Sequence, residues 1–186
     1  PQTHIVEELA QMVADGHLHS EFVNVESEHS AASVVLGALA AGVRAYTATS
    51  SQGLLLMSEV IFNIAGMRLP LVLTDANRAI SAPINIWNDQ QDTVSLRDAG
   101  WVQLYVENLQ ETVDYHIMAY KLAEDKNIML PVMVCMDGFI LTHGIETVDM
   151  PSQEQVDKFL PPYKALYKLD VDNPQTLGPL ADPDFY

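Results

Sequence analysis

Short apolar runs alternate with stretches of helical periodicity over the first 150 residues. The apolar runs predict five strands, "FVNV" (22–25), "VRAYTA" (43–48), "LPLVLTDA" (69–76), "WVQLYVE" (101–107) and "LPVMVCM" (130–136). Strands that alternate with helices pair in parallel, and helices cover both faces of the resulting sheet. The pattern therefore predicts an α/β fold, with a parallel sheet flanked by helices on both faces.

Helix signals fill the gaps between these strands. The first predicted helix precedes "FVNV" and ends at Gly16. The others begin at residues that can cap a helix start: Ser27, Ser50 or Ser51, and Asn108 with Glu111 as its capping partner. The segment "GLLLMSEVIFNIAG" (53–66) is apolar nearly all round, so we expect one central helix there.

Polar segments follow the predicted strands, namely "ESEHS", "TSSQG", "NRAISAP" and "DGFILTHG". Ligands of parallel sheets gather at the carboxyl ends of the strands. The irregular stretch 77–95 is long for a compact domain, and such loops usually bind something. We therefore expect a functional site along this edge of the sheet.

The character of the chain changes after residue 150, where six of the ten prolines lie. We expect one domain over residues 1–150 and a proline-rich linker or arm over 151–186 that leads to a further domain. The chain opens on "PQTHIVEEL" and closes on "ADPDFY". We expect it to be a fragment, truncated at its amino end, or a subunit trimmed at both ends.

The formal net charge is −16 and the pI is near 4.4. Such a field repels nucleic acids and anionic membrane surfaces, so we expect neither as a partner. No apolar run reaches the ~18–20 residues of a membrane span, and we expect no signal peptide. Cys135 is the only cysteine, which excludes an internal disulfide and a four-cysteine metal or iron–sulfur site within this chain. We expect a core thiol in a cytoplasmic protein.

Two charged residues stand out at the expected edge. Glu28 is either a first-turn acid favoured by the helix dipole or a catalytic carboxylate. Arg78 is one of four cationic residues in the first 120, and it follows an apolar strand. It can bind a carboxylate through two parallel hydrogen bonds, or form a salt bridge with Asp75.

The remaining polar motifs are weaker. Ser50, Ser51 and Gln52 start a helix and offer backbone N–H groups to an anion or a polar ring, without the lysine of a phosphate-binding loop. The histidines are scattered, and "NDQQD" (88–92) is either a polar turn or a hard-cation site, of which the turn is the safer interpretation. We expect no metal site.

Four long phrases, in order, resemble one family: "SEHSAASVVLGALAAG", "TATSSQGLLLM", "LPLVLTDANRAISAPINIWNDQQD" and "LPVMVCMDGFILTHG". The family is the α subunit of the 2-oxoacid:ferredoxin oxidoreductases, and the likeness is greatest to its pyruvate enzymes. The resemblance implies a thiamine diphosphate-binding fold, here the domain that binds the aminopyrimidine half of the cofactor. "DNPQTLGPLADPDFY" also resembles the family's exit from that domain.

The resemblance also implies residue roles. Glu28 matches the acid that contacts N1′ of the aminopyrimidine, and Arg78 matches the arginine that holds the 2-oxoacid carboxylate. Ser51 and Gln52 are candidates to line the cofactor cleft. Pro1 matches the last proline of Tyr-Pro-Ile-Thr-Pro, whose threonine this sequence does not contain.

The implied reaction is the oxidative decarboxylation of pyruvate with CoA to acetyl-CoA and CO₂, with electrons passing to ferredoxin. Mg²⁺ and iron–sulfur clusters are expected on partner subunits of a hetero-oligomer: a diphosphate-binding β subunit, a γ subunit and a ferredoxin-like δ subunit. The isolated chain should be inactive. The alternatives are a branched-chain 2-oxoacid enzyme of the same family and a non-catalytic α/β interaction module.

Overall fold

A computed structural model describes residues 1–184. Its helices are α1 (Thr3–Ala14), α2 (Glu28–Ala40), α3 (Gln52–Leu56), α4 (Ser58–Gly66), α5 (Gln91–Ser95), α6 (Leu109–Ala123), α7 (Ile140–His143) and α8 (Gln153–Phe159). Its strands are β1 (Tyr46–Thr49), β2 (Val72–Asn77), β3 (Val102–Tyr105) and β4 (Val132–Asp137). Within residues 1–184, no helix is long and apolar enough to cross a membrane.

The four strands form one parallel sheet in the order β1-β2-β4-β3. The two central strands, β2 and β4, are buried along almost their whole length. Two separate apolar clusters cover the sheet. One is built by α2, α3 and α4 with Trp101, and the other by α6 and Leu141. The predicted α/β class, with helices on both faces of a parallel sheet, is confirmed.

Local signals determined most of the predicted helix caps and most of the predicted strands. Ser27 accepts the Ser30 N–H at 3.2 Å, and Asn108 accepts the Glu111 N–H at 2.8 Å, so these two predicted caps form. The third does not, because Ser51 precedes α3 without a capping bond from its side chain. One of the five predicted strands is wrong. The segment "FVNV" (22–25) is irregular chain, and Val23 is 57% exposed. Length is not the reason, since β1 and β3 are also four residues long; the segment pairs with no strand of the described sheet, and an unpaired strand is not stable alone.

The predicted helix 53–66 is divided at Met57 into α3 and α4. Met57 stays in the right-handed helical region, and its side chain is fully buried. The apolar character of the segment is explained by its place in the core, because Leu54, Ile61 and Ile64 are also inaccessible to solvent. The expectation of a central position is therefore confirmed, and only the continuity is not.

The proline-rich segment returns to the body of the domain. It contains α8, which opens with a reciprocal capping box between Ser152 and Gln155. Further on, the Leu169 N–H donates to the Ala40 carbonyl at 2.7 Å. The expected domain boundary at residue 150 stays a prediction, and residues 185 and 186 of the arm lie outside the described residues.

A polar chain links β1 and β2 to α6. Tyr46 Oη lies 2.7 Å from Thr74 Oγ1, which lies 2.6 Å from Nε2 of His116. Nδ1 of His116 lies 2.5 Å from the Thr112 carbonyl, so Nδ1 carries the proton and Nε2 accepts the Thr74 hydroxyl. Burial lowers the pKa of His116, and the Thr112 carbonyl opposes this shift.

This arrangement predicts a pH-dependent stability. The folded pKa of His116 lies below its ordinary value of 6.5, so the unfolded state binds more protons below that pH. The stabilisation is complete above about pH 6.5 and is lost as the pH falls towards the folded pKa. We expect His116→Gln to flatten the dependence of the melting temperature on pH between about pH 8 and pH 5.5.

The exposed His4 of α1 provides the matched control. His4→Gln should leave the dependence as it is in the parent protein, measured by thermal unfolding in the same buffers. If the two variants had the same pH profile, the neutral, buried state of His116 would be wrong.

Candidate active site at the carboxyl edge of the sheet

All four strands end at one edge, and the loops that follow them meet there. The pairing of β2 with β4 brings Asn77 opposite Asp137, so the next residues, Arg78 and Gly138, are also neighbours. Asp137 accepts the backbone N–H groups of Phe139 and Leu141, which fixes the start of α7. The predicted site therefore lies on an edge whose backbone is held by its own side chains.

Glu28 lies in the first turn of α2, directly after its cap Ser27. A Cβ on Gly53 would lie 2.9 Å from Glu28 Cγ, 3.0 Å from its Oε1 and 2.5 Å from Thr49 Oγ1. Glu28 thus packs against the start of α3, where only a glycine leaves room for it. Its carboxylate is exposed in this chain, as is that of Glu26, so a ligand entering from solvent can reach it.

Arg78 lies directly after β2, with its side chain along Gly138. Its Nε and Nη2 donate to the Gly138 carbonyl at 3.2 and 2.8 Å. A Cβ on Gly138 would lie 2.5 Å from Arg78 Cγ, so this position also requires a glycine. The alternative salt bridge to Asp75 does not form, because the guanidinium bonds to a carbonyl instead.

Pro1 lies near Arg78. Pro1 is partly buried there, within range of the positive charge of Arg78. The structure therefore brings two of the residues selected from sequence, Pro1 and Arg78, into one neighbourhood.

Ser51 is engaged within the protein. It is 5% exposed and adopts φ 52°, an uncommon conformation for a residue other than glycine. Its N–H donates to Asp92 Oδ2 at 3.0 Å, and its Oγ lies 2.8 Å from the Ala79 carbonyl and 2.5 Å from Gln52 Oε1. The N–H group expected to meet a ligand is thus already taken, whereas Gln52 is exposed and accessible.

The sequence did not single out Asp92 as a site residue. It was interpreted as part of a polar turn, and the short helix α5 places its side chain in the core, fully buried. Its Oδ2 accepts the N–H groups of Ser51 and Arg78, and its Oδ1 accepts Nδ2 of Asn77 and the N–H of Thr93. No short-range pattern distinguishes such a residue, because three of its partners lie 14 to 41 positions away. The fourth is the N–H of the adjacent Thr93.

A second buried acid, Asp75, lies beside Asp92. Burial raises the pKa of Asp75 well above its ordinary range, and the charge of Asp92 and a hydrogen bond to it raise it further. Its Oδ2 accepts Nδ2 of Asn77 at 3.1 Å, whereas its Oδ1 has no hydrogen-bond partner within the described residues. The surroundings of Asp75 therefore favour the neutral form of its carboxyl group.

Exposed aromatic side chains border the site on the loop 78–90 and at the start of α7. Trp87 is 61% exposed, and its ring centroid lies 6.1 Å from that of Phe139. Phe139 in turn stacks on His143 at 5.1 Å. Within residues 1–184, no group of three or more acidic, histidine or cysteine side chains could hold a metal ion.

Comparison with known proteins places the chain. A sequence model of the family described as "Pyruvate flavodoxin/ferredoxin oxidoreductase, thiamine diP-bdg" matches residues 1–186. The chain belongs to this family. The recognition made from four sequence phrases is thereby confirmed.

Several relatives are similar over the whole chain. Pyruvate synthase subunit PorA is 56% identical in Methanothermobacter thermautotrophicus and 58% identical in Methanosarcina barkeri, each over 100% of this chain. Ketoisovalerate oxidoreductase subunit VorA of Pyrococcus abyssi is 50% identical, also over 100% of this chain. The chain covers 49%, 46% and 47% of those proteins, so it spans about half of their length.

A solved structure supports the fold. The 2-oxoglutarate:ferredoxin oxidoreductase from Magnetococcus marinus, with 2-oxoglutarate, coenzyme A and succinyl-CoA bound, aligns with a TM-score of 0.66 and 28% identity. The alignment covers 76% of this chain and 25% of that one. The α/β domain therefore has the fold of a thiamine diphosphate-dependent oxidoreductase.

The contact between Gly53 and Glu28 yields a prediction about stability. In Gly53→Ala the new Cβ would overlap with Thr49 and Glu28, and we expect the free energy of unfolding to fall by about 1–3 kcal/mol. Gly37→Ala in α2 is the control, because no atom lies within 4 Å of its added Cβ. That change should stabilise by up to ~1 kcal/mol through helix propensity. Denaturant unfolding of both variants measures the difference, and equal stabilities would contradict the close contact.

Proposed function

We propose that this chain is the pyrimidine-binding domain of the α subunit of a pyruvate:ferredoxin oxidoreductase. The whole enzyme converts pyruvate and CoA to acetyl-CoA and CO₂ and passes electrons to ferredoxin. The observation that carries the proposal is the edge that presents an exposed acid, Glu28, together with an arginine bonded to a carbonyl, Arg78. The identity of 56–58% to two pyruvate synthase subunits supports the choice of substrate.

The residues present fit thiamine diphosphate. The exposed carboxylate of Glu28 can share a proton with a ring nitrogen. Gly53 has no side chain, which leaves room for Glu28 beside it. Gln52 and Pro1 are the other proposed contacts, and Ser51 acts as a support for Gln52. When bound, the cofactor supplies a nucleophilic carbon and an electron sink for decarboxylation. Glu28 contributes by holding and returning a proton at the aminopyrimidine.

Arg78 is suited to a carboxylate substrate. A guanidinium has five N–H groups, and the recorded bonds use Nε and one Nη2 proton on the Gly138 carbonyl. The outer edge, formed by Nη1 and the second Nη2 proton, is left for the two oxygens of a 2-oxoacid carboxylate. Gly138 thereby orients the guanidinium without neutralising it.

The remaining components are proposed on partner subunits. Mg²⁺, the iron–sulfur clusters and the diphosphate half of the cofactor are assigned to β, γ and ferredoxin-like δ subunits of a cytoplasmic hetero-oligomer, with CoA as co-substrate. The 50% identity to a ketoisovalerate oxidoreductase subunit makes a branched-chain 2-oxoacid the second candidate substrate. A non-catalytic interaction module is the third alternative.

Replacement of Glu28 tests catalysis against the non-catalytic alternative. In the reconstituted complex, Glu28→Gln should lower kcat by about 10²–10⁴-fold, because the amide cannot exchange a proton with the cofactor. Glu26→Gln, a change of the exposed acid two residues earlier, should leave kcat at the parent value. The measurement is pyruvate-dependent reduction of ferredoxin. A Glu28→Gln complex with full activity would refute the catalytic role.

Replacement of Arg78 tests substrate binding. Arg78→Ala should raise KM for pyruvate by about 10- to 100-fold, which corresponds to the loss of charge-assisted hydrogen bonds worth ~1.5–3 kcal/mol. Arg97→Ala is the control, because Arg97 is exposed and pairs with Asp98 at 3.9 Å.

The same assays with 2-oxoisovalerate determine the substrate. A higher kcat/KM for 2-oxoisovalerate than for pyruvate would favour the branched-chain alternative.

A further inference from the structure

One buried oxygen holds two loops of the site. Oδ2 of Asp92 accepts the backbone N–H of Ser51 at 3.0 Å and that of Arg78 at 2.9 Å. The first loop follows β1 and leads into Gly53, against which Glu28 packs. The second follows β2 and carries the arginine side chain. The carboxylate of Asp92 thus joins the loop next to the proposed catalytic acid to the loop of the proposed substrate-binding arginine, beside the direct bond from Ser51 Oγ to the Ala79 carbonyl at 2.8 Å.

The other oxygen of Asp92 is also fully used. Oδ1 accepts Nδ2 of Asn77 at 2.8 Å and the N–H of Thr93 at 2.9 Å. A carboxylate offers about four acceptor positions, and four N–H donors bond to this one, beside its contact with the carboxyl group of Asp75. Each hydrogen bond from an N–H group to a carboxylate oxygen is charge-assisted, so these four bonds hold the side chain of Asp92 firmly in one position.

We propose that Asp92 is a positioning residue, whose ionised carboxylate fixes the Arg78 loop and the Ser51–Gly53 loop at one mutual geometry for the reaction. The inference deepens the proposed function and rests on it for its kinetic part. Asp92 itself touches no reacting atom. It acts through the two backbone N–H groups, and an error of about 1 Å in such a geometry can lower a rate ~10²-fold.

Asp75 explains how the core tolerates the charge. Two adjacent buried carboxyl groups cannot both ionise without a large penalty. The donors decide between them, because Asp92 receives four N–H groups whereas Asp75 receives only Nδ2 of Asn77. The neutral Asp75 therefore needs the shape of a carboxyl group but not its charge. Its replacement by asparagine is the matched counterpart of the same change at Asp92.

The test compares Asp92→Asn with Asp75→Asn in the reconstituted complex. In Asp92→Asn an amide NH₂ replaces one carboxylate oxygen. In either orientation of the amide, this NH₂ faces two N–H donors that have lost their acceptor. We expect amide hydrogen exchange in peptides covering residues 49–53 and 77–80 to accelerate about fivefold or more. The bonds from the Ser51 and Arg78 N–H groups are lost if the NH₂ takes the Oδ2 position, and they lose their charge assistance if the amide oxygen takes it. KM for pyruvate should rise and kcat should fall, each by about tenfold or more.

Asp75→Asn should leave exchange in both peptides, KM and kcat within about twofold of the parent complex. Tyr105→Phe controls for simple destabilisation of the core. The Tyr105 hydroxyl bonds to Thr93 and Gln103 but to neither loop. The Tyr105→Phe variant should have a lower melting temperature without faster exchange in either peptide.

Several outcomes would overturn the proposal. Unchanged exchange in Asp92→Asn would remove the mechanical link, and fast exchange with parent-like kinetics would remove its role in the reaction. Equal kinetic losses in Asp75→Asn would move the charge to the other acid. If the Asp92→Asn complex does not assemble, exchange rates of the Ser51 and Arg78 amides in the parent complex provide the test. Amides of Ser51 and Arg78 that exchange as fast as that of Trp87, which donates only to Asn85 Oδ1 in an exposed loop, contradict the proposal.

The exchange measurement separates this inference from the proposed function. It requires an assembled complex but no turnover, so it still reports on Asp92 if the complex does not act on pyruvate. Accelerated exchange in a complex without pyruvate activity would reject the function and retain the mechanical link. Pyruvate activity with unchanged exchange in Asp92→Asn would retain the function and reject the mechanical link.

Discussion

The parallel pairing of β2 with β4 is the constraint on which the site depends. Six residue pairs lock these two buried strands in register, and the last pair joins Asn77 to Asp137. Because the register is fixed, Arg78 follows beside Gly138, and its guanidinium meets that carbonyl. A shift of one residue would exchange the side chains that β2 presents to the two apolar clusters and would disrupt the packing on both faces of the sheet. The hydrophobic core therefore sets the position of the arginine.

Close approaches at two glycines complete the edge. Gly53 admits the side chain of Glu28 and Gly138 admits that of Arg78, with hypothetical Cβ contacts of 3.0 Å or less in both cases. Neither glycine needs a positive φ, so the requirement is for space rather than for backbone freedom. Each of the two charged residues thus has a glycine on the neighbouring loop, and the loops are joined in turn by the carboxylate of Asp92.

Features that depend on neighbouring residues could be predicted from the sequence, whereas those that depend on distant ones could not. Helix caps at Ser27 and Asn108 are local, and four of the five predicted strand segments overlap the observed strands, so these predictions were right. "FVNV" has the local pattern but no strand partner in the described sheet. Asp92 has the local pattern of a turn, and only the fold shows that it is buried. Family phrases indicated Glu28 and Arg78, whose local signals left other interpretations open.

The acidic composition gives the Arg78 arrangement its meaning. With 25 acidic residues against nine lysines and arginines, a cation in this protein readily finds a carboxylate. Arg44 does so, donating from Nε and Nη2 to both oxygens of Glu124 at 2.7 and 2.8 Å. Arg78 instead bonds to a carbonyl, which orients the guanidinium but leaves its charge uncompensated. Burial and the neighbouring charge of Asp92 raise the pKa of Asp75, the nearest candidate partner in sequence. The carboxylate of Asp92 thus bonds to N–H groups of the core, and within the described residues no carboxylate pairs with the guanidinium of Arg78.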